Sequence, residues 1–248
     1  MLREIKLQLQ VPDNYKMHQN KSSLFHGALM ELINEDYAQI IHVDGIRPYS
    51  QSLTFNKSGE CYWQIRTLTD EAYSNIGLKV LADEYKTVDI KYDNVSFEIL
   101  DKTVNQLSNK DLVDKFYNND SSGLYRIYFE SPTAFKVDGV YQFYPDLFHI
   151  YQSIMLKYDA INGADSMFDE ETLNLLVSNS RIVSYRLHDE RFGLEGVKIP
   201  CFKGEILIKV HGAQTIKNLA RLLLEFGTYS GVGIKTALGM GCIRLEER

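Results

Sequence analysis

A dense run of glycines near the end of the chain constrains its fold more than any other sequence feature. Five glycines lie between Phe226 and Cys242, around a single lysine: Gly227, Gly231, Gly233, Gly239 and Gly241. Glycine adopts positive φ angles and lets another backbone approach closely, and free N–H groups in such a loop form a concavity suited to phosphate. The alternative is a helix C-cap followed by a hairpin turn, which explains Gly227 well and the later glycines poorly.

Two common nucleotide-binding motifs do not fit this stretch. A P-loop needs glycine directly before the Lys-Thr pair and a helix after it, whereas Ile234 precedes Lys235 and a strand is predicted at 240–245. The dinucleotide fingerprint needs a strand before its glycines. Here an amphipathic helix comes first, with apolar residues at helical spacing: Ile216, Leu219, Ala220, Leu223 and Phe226.

Length, apolar patterning and cysteine usage narrow the class of protein. The 248 residues suffice for one large domain or two small ones. No stretch approaches the ~20 apolar residues of a membrane span, and the first residues lack an apolar signal core. Three distant cysteines, Cys61, Cys201 and Cys242, suit a reducing cytoplasm. We therefore expect a cytoplasmic protein that does not contact the membrane.

The charge distribution bears on nucleic-acid binding. The net charge of −6 argues against an indiscriminate nucleic-acid binder. Residues 178–248 nevertheless carry 11 Lys and Arg against 7 Asp and Glu, so the net charge is +4 there and −10 before it. A modest basic part beside an acidic one is compatible with selective, salt-sensitive RNA binding.

The first half of the chain predicts one order of elements. Residues 5–11 alternate as a half-buried strand, and a helix follows from Ser22 or Ser23. Residues 34–36 interrupt that helix, and a second short helix is predicted to end near His42. Strands near 52–56 and 61–66, a helix at 70–82 and a strand at 88–100 complete a βαββαβ unit.

The second half repeats that order. Residues 118–123 are small and polar and are predicted as a linker. After it come a strand at 124–130, a hairpin turn at 138–139 and helices at 147–158 and 169–177. Strands at 181–187 and 204–210 and the helix at 216–226, before the glycines, follow. We therefore predict an α+β fold of two tandem ferredoxin-like domains, 1–117 and 124–248.

The stretch from Gly231 to Gly241, Gly-Val-Gly-Ile-Lys-Thr-Ala-Leu-Gly-Met-Gly, resembles the C-terminal glycine-rich loop of the CRISPR repeat-processing endoribonucleases. These belong to the RAMP superfamily, and the likeness is greatest to those found with type III systems. It covers nearly the whole chain, including 24–30, 132–136 and 198–205. The resemblance implies RRM/RAMP-like domains and metal-independent cutting of CRISPR precursor RNA within its repeats. The 2′-OH would attack and leave a 2′,3′-cyclic phosphate and a 5′-OH.

The glycine loop does not by itself separate the nucleases from their non-cleaving relatives. A non-catalytic RAMP subunit that binds guide RNA in a CRISPR effector complex is therefore the alternative. In either case the expected partner is CRISPR repeat RNA, as precursor and as processed guide. A transient contact with a type III effector complex and a homodimer are the protein partners considered. No cofactor or metal is expected, because no His/Cys/Asp/Glu cluster has metal-ligand spacing.

His42 is the first candidate for proton transfer. Metal-free RNA cleavage needs a base, an acid and a cation near the phosphate, roles that histidine, lysine and arginine can fill. Ile41-His42 followed by Arg47 is similar to the family's apolar-His pair with a basic residue after it. The resemblance implies that His42 acts in cleavage, and Arg47, where lysine is usual, can give only electrostatic help. Alternatively, His42 merely ends a helix.

His26 is the second candidate. Some family members have a tyrosine on this first helix, but Met30 stands in the matching position. His26 lies four residues earlier, on the same helix side and at the edge of the apolar stripe. It either replaces that tyrosine or is a packed interfacial histidine. On one unbroken helix His26 and His42 would lie ~24 Å apart, so cooperation requires the chain to turn back at 34–36.

The remaining candidates are contacts to RNA. They comprise residues of the glycine loop and basic or histidine residues upstream: Gly231, Gly233, Lys235, Thr236, Gly239, Gly241, Arg186, His188 and Lys203. The 16 tyrosines would suit base stacking. Most tyrosines are expected to serve strands and core, so we single out none.

Overall fold

The computed structural model describes residues 1–42, 45–118, 120–162 and 168–248, with only the backbone of His42 and of Asn109. Within these ranges, no helix is both long and apolar enough to cross a membrane. The strands form two main antiparallel sheets, one from each half of the chain.

The N-terminal half forms a five-stranded sheet covered by helices on one face. Its strand order is β2-β3-β1-β5-β4, which is the ferredoxin-like order with one strand added at an edge. In β1 the alternation buries Ile5, Leu7 and Leu9 against Phe25 of α1. The elements are β1 (Leu2–Gln10), α1 (Ser22–Leu32), α2 (Glu35–His42), β2 (Tyr49–Phe55), β3 (Cys61–Thr67), α3 (Asp70–Ala72), a π-helical turn (Tyr73–Gly77), α4 (Leu78–Leu81), β4 (Thr87–Ile90), β5 (Val95–Leu107) and α5 (Asn109–Asn118).

The C-terminal half repeats the pattern, so the prediction of two tandem ferredoxin-like domains is confirmed. Its four-stranded sheet has the order β11-β6-β10-β9, and β7 pairs with β8 as a separate hairpin. Ala220, Leu223 and Phe226 of the amphipathic helix α8 are buried, as its periodicity predicts. The elements are β6 (Leu124–Thr133), β7 (Phe135–Val137), β8 (Val140–Gln142), α6 (Leu147–Asn162), α7 (Glu170–Asn179), β9 (Ser180–Leu194), β10 (Val197–Val210), α8 (Gln214–Ser230) and β11 (Ile243–Glu247).

The break between the first two helices is where the sequence predicts it. α1 ends at Leu32, Ile33 is extended with ψ 163°, and α2 begins at Glu35. The Asn34 side chain accepts a hydrogen bond from the Asp36 N–H at 3.0 Å, a local bond typical of asparagine at turns. The chain therefore does not continue α1 as one straight helix to His42.

Several predicted boundaries are wrong; β9 and β10, for example, are both longer than the predicted 181–187 and 204–210. Residues 88–100 are two strands, because the chain turns at Lys91–Asp93 with Asn94 left-handed at φ 50°. Gly227 does not end α8; the helix continues to Ser230, and Gly231 with φ +69° is its C-cap. The closing strand predicted at 240–245 is Ile243–Glu247.

Each half of the chain contributes side chains to the hydrophobic core of the other half. Leu2 and Leu68 pack into the C-terminal core, whereas Ala237 packs into the N-terminal one. The two sheets are therefore locked together at the glycine stretch and at the first strand. Domain boundaries at 117 and 124 stay a prediction, because neither core consists of one half alone.

Candidate active site

The segment Gly231–Gly241, called the glycine loop below, lies between the two domains. It leaves the end of α8, forms a single 3₁₀ turn at Thr236–Leu238 and leads to β11. Gln51 of β2 ties the loop to the N-terminal domain, since its Nε2 donates to the carbonyl of Ala237 at 3.2 Å and to that of Ser22 at 2.9 Å. The loop is thus fixed against both β2 and α1.

Close packing explains why two loop positions must be glycine. At Gly239, with φ +109°, a Cβ atom would lie 2.1 Å from the Cβ of Ser22. At Gly233, with φ +78°, it would lie 2.2 Å from the carbonyl oxygen of Ala134. Gly231, Gly239 and Gly241 are buried. Their burial accounts for these glycines without a ligand, and their contact with RNA stays a prediction.

Several N–H groups of the glycine loop bind protein acceptors. Val232 donates to the Gly241 carbonyl at 2.8 Å, Gly233 to the Ser153 hydroxyl at 2.9 Å, and Ile234 to the Ala134 carbonyl at 3.0 Å. The prediction that the N–H groups of this loop are free to form a concavity for phosphate is therefore wrong at these three positions. Lys235, left-handed at φ 57° and exposed, remains available to a ligand.

Lys157, a buried lysine, binds the backbone of the glycine loop. The Lys157 amine of α6 donates to the carbonyls of Gly231 at 2.9 Å and Gly233 at 3.1 Å. Burial lowers the pKa of Lys157 to about 7, because a low-dielectric site disfavours the charged amine. The sequence did not single out Lys157 as a functional residue. The available signal was a lysine on the apolar stripe of α6, three residues after the buried Ile154.

Four basic side chains line a cavity of about 480 Å³ beside the glycine loop. They are Arg47, Lys136, Lys157 and Lys235, and Thr236 and Gly233 also line the cavity. None of the described residues that line it is Asp or Glu. On a chain of net charge −6, such a local excess of positive charge marks an anion site. The structure therefore brings together Arg47, Gly233, Lys235 and Thr236, which the sequence singled out.

Arg47 also contacts the end of α2. Its Nε donates to the carbonyl of Ile41 at 3.2 Å, so the cation is held beside the C-terminus of that helix. His42 is the last residue of α2. The side chain of His42 lies outside the described residues, and its catalytic role stays a prediction.

His26 pairs with Tyr49, a tyrosine that the sequence does not single out. It is half-buried on α1, and its Nδ1 lies 2.9 Å from the hydroxyl oxygen of Tyr49. The two rings are nearly parallel, with centroids 6.3 Å apart. Burial raises the pKa of Tyr49, and nearby Arg47 partly opposes the shift. A neutral phenol is therefore fixed against one nitrogen of His26, close to the cation of Arg47.

The other RNA-contact candidates lie away from this cavity. Arg186 and His188 are on β9, and His188 pairs with Lys203 of β10 in register. Lys203 lines a separate cleft of about 530 Å³ together with Lys6 and Arg244. Arg186 and His188 line neither of these two spaces. No cluster of His, Cys, Asp and Glu with the geometry of a metal site occurs in the described part of the chain.

A family model, proteins of known name and solved structures all show similarity of this chain to one family. Residues 127–243 match the family model described as CRISPR-associated endoribonuclease Cas6. A Streptococcus thermophilus protein of that name is 35% identical over 224 residues, 90% of each chain. One from Mycobacterium tuberculosis is 30% identical over 221 residues, 89% of this chain and 70% of that protein. A solved Cas6 product complex shares the fold, with a TM-score of 0.77, 19% identity and 99% coverage of both chains.

Proposed function

This chain belongs to the Cas6 family of CRISPR-associated endoribonucleases, and from that premise we propose that it cuts CRISPR precursor RNA within its repeats to release guide RNAs. The observation that carries the proposal is the cavity beside the glycine loop, with four basic side chains and no carboxylate among its described lining residues. Such a site suits the phosphate at the cut, since arginine and lysine stabilise the charge that builds on phosphorus. Relatives at 35% and 30% identity carry the name endoribonuclease, which favours the enzyme over a non-catalytic subunit.

The proposed reaction uses only side chains and the RNA itself. The ribose 2′-oxygen forms a bond to the adjacent phosphorus while the bond from phosphorus to the 5′-oxygen breaks. One group removes the 2′-OH proton and another donates a proton to the departing 5′-oxygen. The products are a 2′,3′-cyclic phosphate and a 5′-OH. Arg47, on the cavity wall, supplies positive charge to the phosphate.

His26 and His42 are the proposed proton-transfer groups. The hydrogen bond between His26 Nδ1 and Tyr49 holds the imidazole ring in place. When Nδ1–H donates to the Tyr49 oxygen, Nε2 is unprotonated and can act as the base. His42 has the principal role by resemblance, and Tyr49 acts through His26 as a positioning residue.

Binding along the RNA uses further contacts in this proposal. Lys235 and Thr236 bind the RNA phosphate that lies at the glycine loop. Lys203, Arg186 and His188 contact the RNA farther along, at the C-terminal sheet. The RNA partners are the precursor and its processed guide. We further propose a homodimer and a transient contact with a type III effector complex. We also propose a cytoplasmic location, which three buried, free cysteines support.

The experiment is cleavage of repeat RNA by the purified protein in EDTA. We expect cutting at one position, with a 2′,3′-cyclic phosphate on the upstream product. The matched control RNA carries 2′-deoxyribose at the nucleotide 5′ of the cut and should stay intact. Cutting that requires Mg²⁺, or that tolerates the deoxy nucleotide, contradicts the proposed chemistry. Tight binding of the unmodified RNA without cutting supports the non-catalytic subunit instead.

A further inference from the structure

We infer that Lys157 is a proton-linked phosphate contact, whose amine takes up a proton when a phosphate of the RNA enters the cavity beside the glycine loop. The inference rests on the proposed function, because it concerns the same cavity. It adds a group that is not exposed at the surface and a dependence of RNA binding on pH.

The hydrogen bonds of Lys157 carry the first step. Its amine donates to the carbonyls of Gly231 and Gly233 at 2.9 and 3.1 Å. A neutral amine has two N–H groups, so these two acceptors use both of them. Protonation adds a third N–H, which requires a further acceptor because a buried unsatisfied donor is costly. Lys157 lines the cavity, and a bound phosphate oxygen would be that acceptor.

The charges around Lys157 carry the second step. The titratable groups that line the same cavity are Lys136 from β7, Tyr141 from β8, Lys235 from the glycine loop and Arg47 from the segment before β2. His149, two turns earlier on α6, lines an adjoining cavity of about 250 Å³. Neither cavity has a carboxylate among its described lining residues. The protein thus supplies cations here and leaves the negative charge to a ligand.

The proton balance follows from these surroundings. Burial alone lowers the pKa of Lys157 to about 7, and a phosphate beside the amine would raise it again. Above about pH 7 the RNA complex therefore holds more protons than the free protein. Linkage then requires binding to take up protons and to weaken as pH rises through this range. A contact that is charged in both states would give no such dependence.

The test is calorimetric titration at pH 8 in Tris and in HEPES, two buffers with different ionisation enthalpies. The probe is repeat RNA with 2′-fluoro in place of every 2′-OH, which cannot attack the phosphate. We expect the wild-type protein to take up a substantial fraction of a proton, with an upper limit of about one per RNA. Lys157→Met should abolish this uptake and make the affinity nearly independent of pH between 7 and 9.

Two variants serve as matched controls. Lys79→Met removes an exposed lysine on α4 and should keep the wild-type uptake. Ser153→Ala removes the acceptor of the Gly233 N–H but keeps the amine, so it should also keep the uptake. If Lys157→Met does not fold, Lys157→Gln, which retains a donor for one carbonyl, should show the same loss.

Each remaining outcome is decisive. Wild-type binding without proton uptake overturns the inference while the proposed function stands. Equal uptake by the wild type and by a folded Lys157 variant assigns the proton to another group and also overturns it. Failure of the wild-type protein to bind the RNA contradicts the proposed function, and this inference with it.

Discussion

The Nδ1 atom of His26 lies 2.9 Å from the hydroxyl oxygen of Tyr49, and this contact joins α1 to β2 at the edge of the N-terminal core. Tyr49 is 1% exposed, so its hydroxyl is fixed by its surroundings. One imidazole nitrogen of His26 is therefore engaged by the phenol of Tyr49.

Tyr49→Phe should slow cleavage if Tyr49 positions His26. Phenylalanine keeps the packing and removes one hydrogen bond, so we expect a single-turnover rate about tenfold lower, the kinetic equivalent of ~1.4 kcal/mol. The pH–rate profile should also shift, because the ring tautomer is no longer fixed. Tyr92→Phe, at an exposed tyrosine, is the control. A purely structural Tyr49 would lower the melting temperature and leave both rate and profile unchanged.

Lys235→Ala should weaken RNA binding more than it slows cleavage at saturating RNA, because this lysine offers phosphate a point charge from an exposed loop position. The slope of log affinity against log salt should become shallower by about one unit. Filter binding at four salt concentrations measures it, with Lys110→Ala on α5 as the control. An unchanged slope would place Lys235 away from the RNA.

Gly239→Ala should destabilise the protein far more than Gly139→Ala. Both glycines have positive φ, but a Cβ at Gly139 meets nothing within 4 Å, whereas at Gly239 it meets Ser22. The left-handed conformation costs alanine ~1–2 kcal/mol at either site, and the clash adds ~1–3 kcal/mol at Gly239. Urea unfolding measures the difference. Equal losses would show that the loop can move away from α1.

Stability should depend on pH through Lys157. Its pKa is about 7 in the folded protein and 10.5 when solvated, so the unfolded chain binds more protons between these values. The free energy of unfolding contributed by this group therefore rises from about pH 7 to about pH 10.5. Lys157→Met should flatten that rise relative to the wild type in urea unfolding at pH 7 to 9.5. Parallel pH profiles for the two proteins would contradict a neutral buried amine.

The architecture could be predicted from the sequence because local patterns determine it. Alternation in β1 and the helical stripe of α8 each identify a buried face, and the polar residues at 34–36 mark the helix break. The turn at Lys91–Asp93 was missed, since no glycine or proline lies between Ile90 and Val95. Turn signals of this kind are weaker than periodicity.

The candidate site was only partly predictable, because it depends on contacts between distant residues. Arg47 and Lys235 were identified and do line one cavity. Tyr49 was not, since a tyrosine in a strand is usually core, and its contact with His26 depends on how α1 packs on β2. Lys157 was not identified either, because its carbonyl acceptors are more than seventy residues away in sequence. The N–H groups of the glycine loop were expected to be free, and tertiary packing uses several of them.

The most direct test of the account is single-turnover cleavage of saturating repeat RNA by His42→Ala, His26→Ala and the double variant, with melting temperatures as the control for folding. We expect His42→Ala to lose ~10²–10⁴-fold of rate with affinity nearly unchanged. His26→Ala should also slow the chemical step, and the double variant should lose much less than the product of the two single losses, because groups that act as a unit are not additive. A well-folded His42→Ala protein that cuts at the wild-type rate would contradict the assignment of His42, and the principal proton transfer would then belong to His26.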